Sequence, residues 1–585
     1  MSLDITRLIA FSGLSATQVQ ISVTSSNISN ADTTGYTTKT ANQTSSVTNG
    51  VGTGVTVTGI TSTVDKLLLK SLIGATSELG AADTSNTYLT SLQKLYGSTS
   101  TSDSSSTGTS LANTLADLES ALSALSSLAS TPSSASLQSN AVSALNDVVS
   151  QLRETSSGIQ KLRSNADKDI ASSVDDVNKD LQQIANVNAE IKQVAASGQS
   201  TADLEDQRNT ALQDVASKMN VSYFTASNGD LQVYTTSGQA LVDSSAHTIS
   251  YTTAANVSSS TSFGAISVNG VDITSQITSG DIGALVTLRD KTLPAAQSQL
   301  DQLAQQFTSA LNSASNSASS VPPPTSLTGT TAVASTDALS ATGTVHIAAT
   351  DQSGNLVSYA DLDLSSYATV GDLVTAINGI SGLSASVDSN GHLTISATGS
   401  GNGVAINEMT SSVGSSGEGL SDYFGLNDIV TGTSAADIAV KSSFLSGSSE
   451  LPLATLDSSS TLTVGSRVLS SGSATVVNNL YDTLTGSRSF ASAGGLAEST
   501  GSFADYAATI VSDVASKASQ ASSAYTAKET AQSTYADSLS SQSGVNLDEE
   551  SARLSTLQNK YSAASALIQA INTMYSALLN AVQSG

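Results

Sequence analysis

The feature that most restricts the fold of this chain is an uninterrupted helical pattern over residues 137–194. Its apolar residues keep spacings of three or four, and no proline falls inside the segment. A helix of that length extends about 90 Å at 1.5 Å per residue, so the pattern predicts an α-helical rod. The seam consists of Leu145, Val148, Leu152, Ile159, Leu162, Ile170, Val174, Val177, Leu181, Ile184, Ile191 and Val194.

The composition agrees with long helices rather than one thick core. The chain has 585 residues, of which 38% are hydrophobic and 4% aromatic. At about 150 residues per domain, this length predicts three or four units. Thin apolar seams and small β-domains are therefore expected.

Charge and cysteine content exclude several classes of function. With 48 acidic against 22 basic residues, the formal net charge is −26. Such a surface repels phosphate backbones and anionic lipids, so no nucleic-acid or membrane partner is predicted. Cysteine is absent, which excludes disulfides, thiolate metal sites and a cysteine nucleophile. The first twenty residues contain no signal-peptide core, so we expect any export to use a route without a cleaved signal.

Both ends of the chain carry amphipathic helical patterns. The first predicted helix ends near Ser26, before the turn-forming stretch NISNADTTGY at residues 27–36. A strand or extended arm is predicted over residues 47–60. The last segment has a heptad seam of Leu554, Leu557, Tyr561, Ala564, Ile568, Ile571, Tyr575, Leu578 and Val582.

The sequence is compatible with two arrangements of the terminal helices. Each could pack on the core of its own chain, or the two could pair with each other and contact neighbouring copies. The acidic, small-residue composition offers no obvious apolar groove for two further helices, which favours pairing. A pair that buries only a narrow seam is marginal alone, so neighbours are expected to complete its burial.

Between the ends, the pattern alternates helical and β-rich segments. Ser200–Asp203 resembles a capping box before a helix that reaches Lys218. Asn228-Gly229-Asp230 predicts a hairpin, and Pro294 occupies the first turn of another helix. A Ser/Thr-rich linker is predicted at residues 97–110, and residues 327–455 are rich in short strands.

These observations predict a mainly α protein with β structure, built as a discontinuous multi-domain rod. Residues 1–62 and 535–585 would form a terminal coiled-coil assembly domain. Residues 63–320 and 456–534 would form an α-helical rod domain with small β-hairpins, and residues 321–455 an inserted β-rich outer domain.

No constellation in the sequence predicts catalysis, a cofactor or a metal. The three histidines, His247, His346 and His392, lack metal-ligand spacing. The glycine-rich stretches lack phosphate-binding spacing, and no nucleophile elbow is present. Asp548, Glu549 and Glu550 are adjacent carboxylates that fit the first turn of a helix better than a catalytic pair.

Two signatures resemble a known family. SSNISNADTTGY, with Ser26 where the pattern usually has Asn, resembles the N-terminal signature of the axial proteins of bacterial flagella. SGVNLDEESARLSTLQNKYSAASALIQAINTMYSALLNAV, at residues 543–582, resembles the C-terminal signature of the hook-associated proteins that join hook to filament. Residues 204–224 and 502–518 also resemble the corresponding segments of these hook-associated proteins, whereas the β-rich insert carries no such resemblance.

The resemblance implies a structural role outside the cell, at the hook–filament junction. Subunits of that family leave unfolded through the flagellar type III export system, and their terminal helices form an inner layer. The implied partners are hook protein on the proximal side, a second junction protein (hook-associated protein 3) on the distal side, and about eleven copies of the chain itself. An export chaperone is expected to bind the C-terminal helix.

The resemblance also assigns roles to residues. The expected assembly residues are Leu8, Phe11, Leu14, Leu557, Tyr561, Ile568, Ile571 and Leu578. The expected joint, where the first helix turns outward, consists of Asn27, Asn30, Gly35 and Tyr36. The C-terminal signature comprises Gly544, Val545, Asn546, Leu547, Asp548, Glu549 and Glu550.

Other functions remain as alternatives. The nearest are the hook protein and a distal-rod protein of the same family, against which the GVNLDEE stretch and the long helix argue. A Ser/Thr-rich surface adhesin should show repeated β-modules and an anchor. An enzyme is the weakest alternative.

Overall fold

The computed structural model describes residues 3–48, 50–97, 110–128, 134–459, 461–470 and 474–583. Most of the predicted linker at residues 97–110 lies outside these ranges. Helices make up 54% of the structure and the sheets are small and antiparallel, so the prediction of a mainly α protein with β structure is confirmed.

The helices follow the predicted seams closely. Their bounds are α1 (Leu3–Ser29), α2 (Lys66–Leu95), α3 (Leu111–Leu128), α4 (Ser134–Ala196), α5 (Ala202–Lys218), α6 (Gly280–Thr287), α7 (Leu293–Asn316), α8 (Val370–Asn378), α9 (Leu420–Phe424), α10 (Ser442–Leu445), α11 (Ala474–Thr485), α12 (Phe503–Ser543) and α13 (Leu547–Gln583). The long predicted helix is α4, with 63 residues. Its seam is buried from Leu145 to Ile191 except at Leu162, which is half-buried.

The strands are short apart from two near the N-terminus. They are β1 (Lys39–Thr48), β2 (Val51–Ser62), β3 (Ser222–Thr225), β4 (Leu231–Tyr234), β5 (Ala240–Val242), β6 (Ile249–Ser250), β7 (Ser267–Val268), β8 (Val271–Asp272), β9 (Ser326–Ala332), β10 (Ala341–Thr342), β11 (Thr344–Asp351), β12 (Leu356–Asp363), β13 (Leu383–Val387), β14 (His392–Ala397), β15 (Asn402–Asn407), β16 (Ser412–Val413), β17 (Val430–Thr431), β18 (Ala439–Val440), β19 (Thr455–Leu456), β20 (Leu469–Ser470), β21 (Arg488–Phe490) and β22 (Ser499–Gly501).

The chain divides into two compact units. The first comprises Met1–Tyr88, Arg163–Asp290 and Ser519–Gly585, and the second Leu89–Leu162 and Lys291–Ala518. The three-domain division with boundaries after residues 62, 320, 455 and 534 stays a prediction.

The first unit contains the terminal helices, the β1–β2 hairpin, α5, α6 and two three-stranded sheets, β3-β4-β5 and β6-β7-β8. The predicted hairpin at Asn228–Asp230 is confirmed, because β3 pairs with β4 and Gly229 has φ 87°. The α6–α7 connection is a π-helical turn, Leu288–Thr292, that carries the buried Arg289.

The second unit contains α3, α7, α11 and the β-rich segment. Helix α11 packs against α3 and α7. Two three-stranded sheets, β12-β11-β15 and β13-β14-β9, enclose an apolar cluster together with α8. Helix α8 begins with a complete capping box between Thr369 and Asp372. The β-rich character predicted for residues 327–455 is confirmed.

Two local predictions are wrong. Residues 47–60 are not a single strand or arm, because β1 and β2 pair as an antiparallel hairpin in which Thr48 faces Val51. The sequence signal for this turn is Gly50, which has φ 80°. Helix α5 has no capping box: Thr201 already has near-helical backbone angles, φ −101° and ψ 0°, and its hydroxyl donates to the Glu205 carboxylate at 2.8 Å.

Candidate assembly interface

The terminal helices α1 and α13 pack side by side in opposite directions. At one end, the Tyr575 hydroxyl donates to the Asp4 carboxylate, and the Arg7 guanidinium lies 5.8 Å from the centre of the Tyr575 ring. At the other end, the Thr38 amide, just beyond α1, donates to the carbonyl of Ser543, just before α13, at 2.7 Å. The two ends of the chain therefore form an antiparallel pair within one molecule.

The eight predicted assembly residues differ in their burial within this pair. Leu557 and Ile571 are buried, each with 3% of its surface exposed. Leu14 and Ile568 are half-buried. The remaining predicted residues are exposed in the single chain: Leu8 (60%), Phe11 (58%), Tyr561 (39%) and Leu578 (55%). Part of the predicted seam therefore holds the pair together, and part of it faces outward.

Other large apolar side chains on α13 extend the exposed surface. They are Leu567, Met574, Leu579 and Val582, none of which was predicted as an assembly residue. Together with Leu8, Phe11, Tyr561 and Leu578 we call them the terminal apolar surface. Val582 belongs to the predicted heptad seam, whereas Leu567, Met574 and Leu579 lie outside it, so the periodicity gave no signal for these three.

The terminal apolar surface is also free of charge. No Asp, Glu, Lys or Arg occurs in residues 8–31 or in residues 561–585, although the chain carries a formal net charge of −26. Exposed apolar patches on soluble proteins mark interaction sites, and an uncharged patch avoids repulsion between copies of an acidic chain. The arrangement favours contacts with apolar, uncharged surfaces.

Asn27 organises the joint that follows α1. It is completely buried, and its amide group binds both backbone atoms of Lys39: the amide nitrogen donates to the carbonyl at 2.9 Å, and the amide oxygen accepts from N–H at 3.0 Å. The Tyr36 hydroxyl donates to the same oxygen at 3.0 Å. Asn30 donates from its side chain to the carbonyl of Ser26 at 2.9 Å. The loop is thus folded back so that β1 starts beside the end of α1.

Gly35 and Tyr36 complete the joint. Gly35 has φ 80°, and a Cβ atom there would lie 2.5 Å from the hydroxyl oxygen of Thr210 on α5. Burial raises the pKa of the Tyr36 phenol, and the carboxylates of Asp203, Asp206 and Glu550 raise it further. The four predicted joint residues are therefore brought together, and Gly35 meets both a conformational and a steric requirement.

The C-terminal signature forms the start of α13. The Asn546 side chain accepts from the amides of Asp548 at 3.1 Å and Glu549 at 3.3 Å, so it caps the helix. Asp548 and Glu549 are exposed in the first turn, where the helix dipole favours negative charge. Glu550 is buried and pairs with Arg553 at 3.5 Å. Gly544 and Val545 are half-buried, and Leu547 is exposed.

Three further residues contribute to this site and were not predicted: Lys39, Asp206 and Thr210. Lys39 is the one basic residue between Arg7 and Lys66, which is the signal that could have drawn attention to it. Its side chain is 4% exposed and forms an ion pair with Asp206, which is 9% exposed. No local pattern links Asp206 or Thr210 to the joint, because both lie on α5.

Within the described ranges, no group of three or more His, Asp or Glu side chains is arranged to hold a metal ion. None of the helices in the described part of the chain is sufficiently long and apolar to span a bilayer.

Replacing Gly35 with alanine should weaken the joint by about 2 kcal/mol, because alanine resists positive φ and its Cβ would collide with Thr210. Hydrogen exchange of the amides of residues 36–39 measures the effect. Gly13→Ala is the matched control, since Gly13 lies in α1 and a Cβ added there would meet no atom within 4 Å. The control should stabilise α1 by about 0.5–1 kcal/mol. Unchanged exchange in Gly35→Ala would contradict the steric role.

Four family models match the chain, all of them flagellar. The model of the flagellar hook-associated protein FlgK helical domain matches residues 99–321. The flagella basal body rod protein model matches residues 8–37, and the flagellar basal body rod FlgEFG protein C-terminal model matches residues 538–581. The flagellin hook IN motif matches residues 344–399 in the β-rich segment.

Curated relatives agree with these models. The chain is 24% identical over 314 residues to flagellar hook-associated protein 1 of Salmonella typhimurium, covering 52% of this chain and 55% of the relative. It is 24% identical over 318 residues to the protein of the same name from Escherichia coli, with the same coverage. The chain thus spans about half the length of the curated relatives that it matches.

Among solved structures, the flagellar hook junction protein FlgK from Burkholderia pseudomallei is similar to this chain. The TM-score is 0.46 at 16% identity, and the match covers 80% of this chain and 98% of that one.

Proposed function

We propose that the chain is a member of the FlgK family of flagellar hook-associated proteins and a structural adapter that joins the hook to the filament. A bent, flexible hook and a stiff filament present different surfaces. An intermediate layer that binds each with a different face would allow the filament to assemble on the hook.

The observation that carries the proposal is the terminal apolar surface on α1 and α13. Eight large apolar side chains are between 39% and 73% exposed on two helices that carry no charge along residues 8–31 and 561–583. Removing apolar area from water is favourable by about 25 cal/mol per Å², and a monomer that leaves this surface exposed forgoes that free energy. Neighbouring copies that cover it would gain that energy without like-charge repulsion.

We propose that about eleven copies pack in a ring-like layer through head-to-tail contacts of this surface. Hook protein would lie on the proximal side, and hook-associated protein 3 on the distal side. Before export through the flagellar type III system, a chaperone would mask the same surface of α13. The proposed location is the hook–filament junction outside the cell.

The family models that match the chain describe structural flagellar proteins rather than enzymes. We accordingly propose no catalytic role and no cofactor. The function would be mechanical and would depend on which surfaces the terminal helices cover.

The proposal can be tested in a strain that lacks this gene. The parent chain or a variant is expressed in that strain, and the cells are imaged by negative-stain electron microscopy. The strain should carry hooks without filaments and should lose flagellin to the medium. The parent chain should restore filaments, whereas a Phe11→Asp, Leu578→Asp double variant should not. Both positions are exposed, so the purified variant should keep the helix content of the parent by circular dichroism.

The matched control is Gln18→Asp with Gln569→Asp, which adds the same charges at exposed polar positions of the same helices. It should restore filaments. If the strain that lacks the gene carries no hooks, the protein would instead be a component of the hook or the rod. Filaments with the Phe11→Asp, Leu578→Asp variant would overturn the proposed role of the terminal apolar surface.

A further inference from the structure

Three successive backbone amides after the joint each donate to a different helix or helix end. The Thr37 amide donates to the Asp206 carboxylate on α5 at 2.9 Å. The Thr38 amide donates to the carbonyl of Ser543, the last residue of α12, at 2.7 Å. The Lys39 amide donates to Asn27 on α1 at 3.0 Å. We call residues 37–39 with these acceptors the three-helix node.

We infer that Asp206 is a positioning residue: through the three-helix node it sets the direction in which the α1/α13 pair leaves α5. The importance of that direction rests on the proposed function, since neighbouring copies can cover the terminal apolar surface only if each copy presents it at the same angle.

Side chains reinforce each connection of the node. The Thr37 hydroxyl donates to Asp206 at 2.7 Å, so one residue binds this carboxylate through both main chain and side chain. The Thr38 hydroxyl donates to the carbonyl of Gly544, in the segment between α12 and α13. The Lys39 ammonium pairs with Asp206 and donates to the Thr37 hydroxyl at 3.1 Å. Asp206 therefore accepts from two node residues, Thr37 and Lys39. It joins α5 to residues 37–39, which in turn bind the end of α1 and the segment before α13.

The electrostatics make Asp206 hard to replace. Lys39 is 4% exposed, and its ammonium also lies 4.4 Å from the centre of the Tyr36 ring. The second carboxylate near it, Asp203 at 3.6 Å, is 75% exposed. Removing the charge of a buried partner leaves a buried charge without adequate compensation, which is strongly unfavourable. Without Asp206 the ammonium would turn toward water and Thr37 would lose its contact with α5.

The position of the node explains why it would control direction. It lies where α1 ends and α13 begins, so both helices leave from the same point of the fold. Their far ends are linked to each other by Tyr575 with Asp4 and Arg7. A pair that is tied together at the far end and anchored at the near end takes its orientation from the anchor.

The test measures the orientation in the isolated full-length chain. Because the chain has no cysteine, Gln207→Cys on α5 and Gln558→Cys on α13 introduce the only two sites for spin labels. Both glutamines are exposed. Pulsed electron–electron double resonance should give one narrow distance distribution in this labelled chain. Adding Asp206→Asn should abolish the narrow distribution while helix content by circular dichroism stays unchanged.

Asp203→Asn is the matched control, because it removes an exposed carboxylate that also faces Lys39. It should keep the narrow distribution. If Asp206→Asn reduces the helix content, a Thr37→Val variant is the deciding measurement. It removes the hydroxyl that donates to Asp206 and accepts from Lys39, leaves the Asp206 carboxylate in place, and should still broaden the distribution. An unchanged narrow distribution in a folded Asp206→Asn chain, or in Thr37→Val, would overturn the inference.

The measurement is independent of assembly. Filaments in the Phe11→Asp, Leu578→Asp strain would remove the proposed role of the apolar surface but would not alter the distances in the isolated chain. Conversely, an unchanged distance in Asp206→Asn would leave the proposed junction role intact.

Discussion

Replacing Ile571 with aspartate is expected to abolish filament assembly while the second unit stays folded. Ile571 is 3% exposed on α13, the helix that packs along α1. The substitution removes a buried aliphatic side chain and introduces a carboxylate into an apolar seam, a combined cost of about 4 kcal/mol or more. The α1/α13 pair buries a narrow seam, so this cost should separate the two helices.

Two measurements separate this effect from loss of the outward surface. In the purified Ile571→Asp variant, circular dichroism should show a loss of helix content, and hydrogen exchange should show a loss of amide protection in α1 and α13. The Phe11→Asp, Leu578→Asp variant should show neither loss. Gln569→Asp, at an exposed position two residues away, is the control for added charge and should behave as the parent. Normal filaments with Ile571→Asp would show that pairing of the terminal helices is dispensable.

The sequence predicts the helices because their seams repeat over many turns. A periodic signal such as that of α4 accumulates with length, and burial from Leu145 to Ile191 follows from it. Short elements lack this advantage. The β1–β2 hairpin depends on one turn, and the start of α5 depends on the backbone angles of Thr201, so both predictions failed at the level of single residues.

The candidate site shows the same limit. The heptad pattern identifies the residues that face a partner helix, but it does not separate Ile571, which is buried within the chain, from Leu578, which is 55% exposed. That distinction depends on how far α1 extends along α13. The three-helix node was not predictable, because Thr37 and Asp206 are 169 positions apart and neither belongs to a periodic seam.

A second buried ion pair holds an irregular segment of the first unit. Arg289, in the π-helical turn, and Asp167, on α4, have side chains that are each 2% exposed and lie 3.2 Å apart. Asp167 also accepts from the Tyr251 hydroxyl and from the amide of Ala254 at 2.8 Å. Burial raises the pKa of the Tyr251 phenol, and its hydrogen bond to Asp167 raises it further. The segment after β6 is therefore fixed to α4 and to the π-helical turn.

Replacing Asp167 with alanine is expected to destabilise the first unit by about 3–4 kcal/mol, because it leaves a buried guanidinium with one fewer counter-charge and two donors without an acceptor. Asp290, which binds Arg289 at 2.8 Å and is 37% exposed, compensates for part of the charge. Hydrogen exchange should show loss of protection at Ala254 and its neighbours. Urea unfolding followed by circular dichroism should show an earlier transition than in the parent chain.

The matched control is Asp176→Ala, nine positions further along α4. Asp176 pairs with Lys179 at 2.8 Å, but the two side chains are 48% and 74% exposed, so its removal should cost about 0–1 kcal/mol. An Asp167→Leu, Arg289→Met double variant removes both buried charges and should recover much of the stability lost in Asp167→Ala. If Asp167→Ala is no less stable than Asp176→Ala, the buried pair does not hold the segment. If the double variant is less stable than the single one, the hydrogen bonds to Tyr251 and Ala254, rather than the charge on Arg289, dominate the stability of this part of the fold.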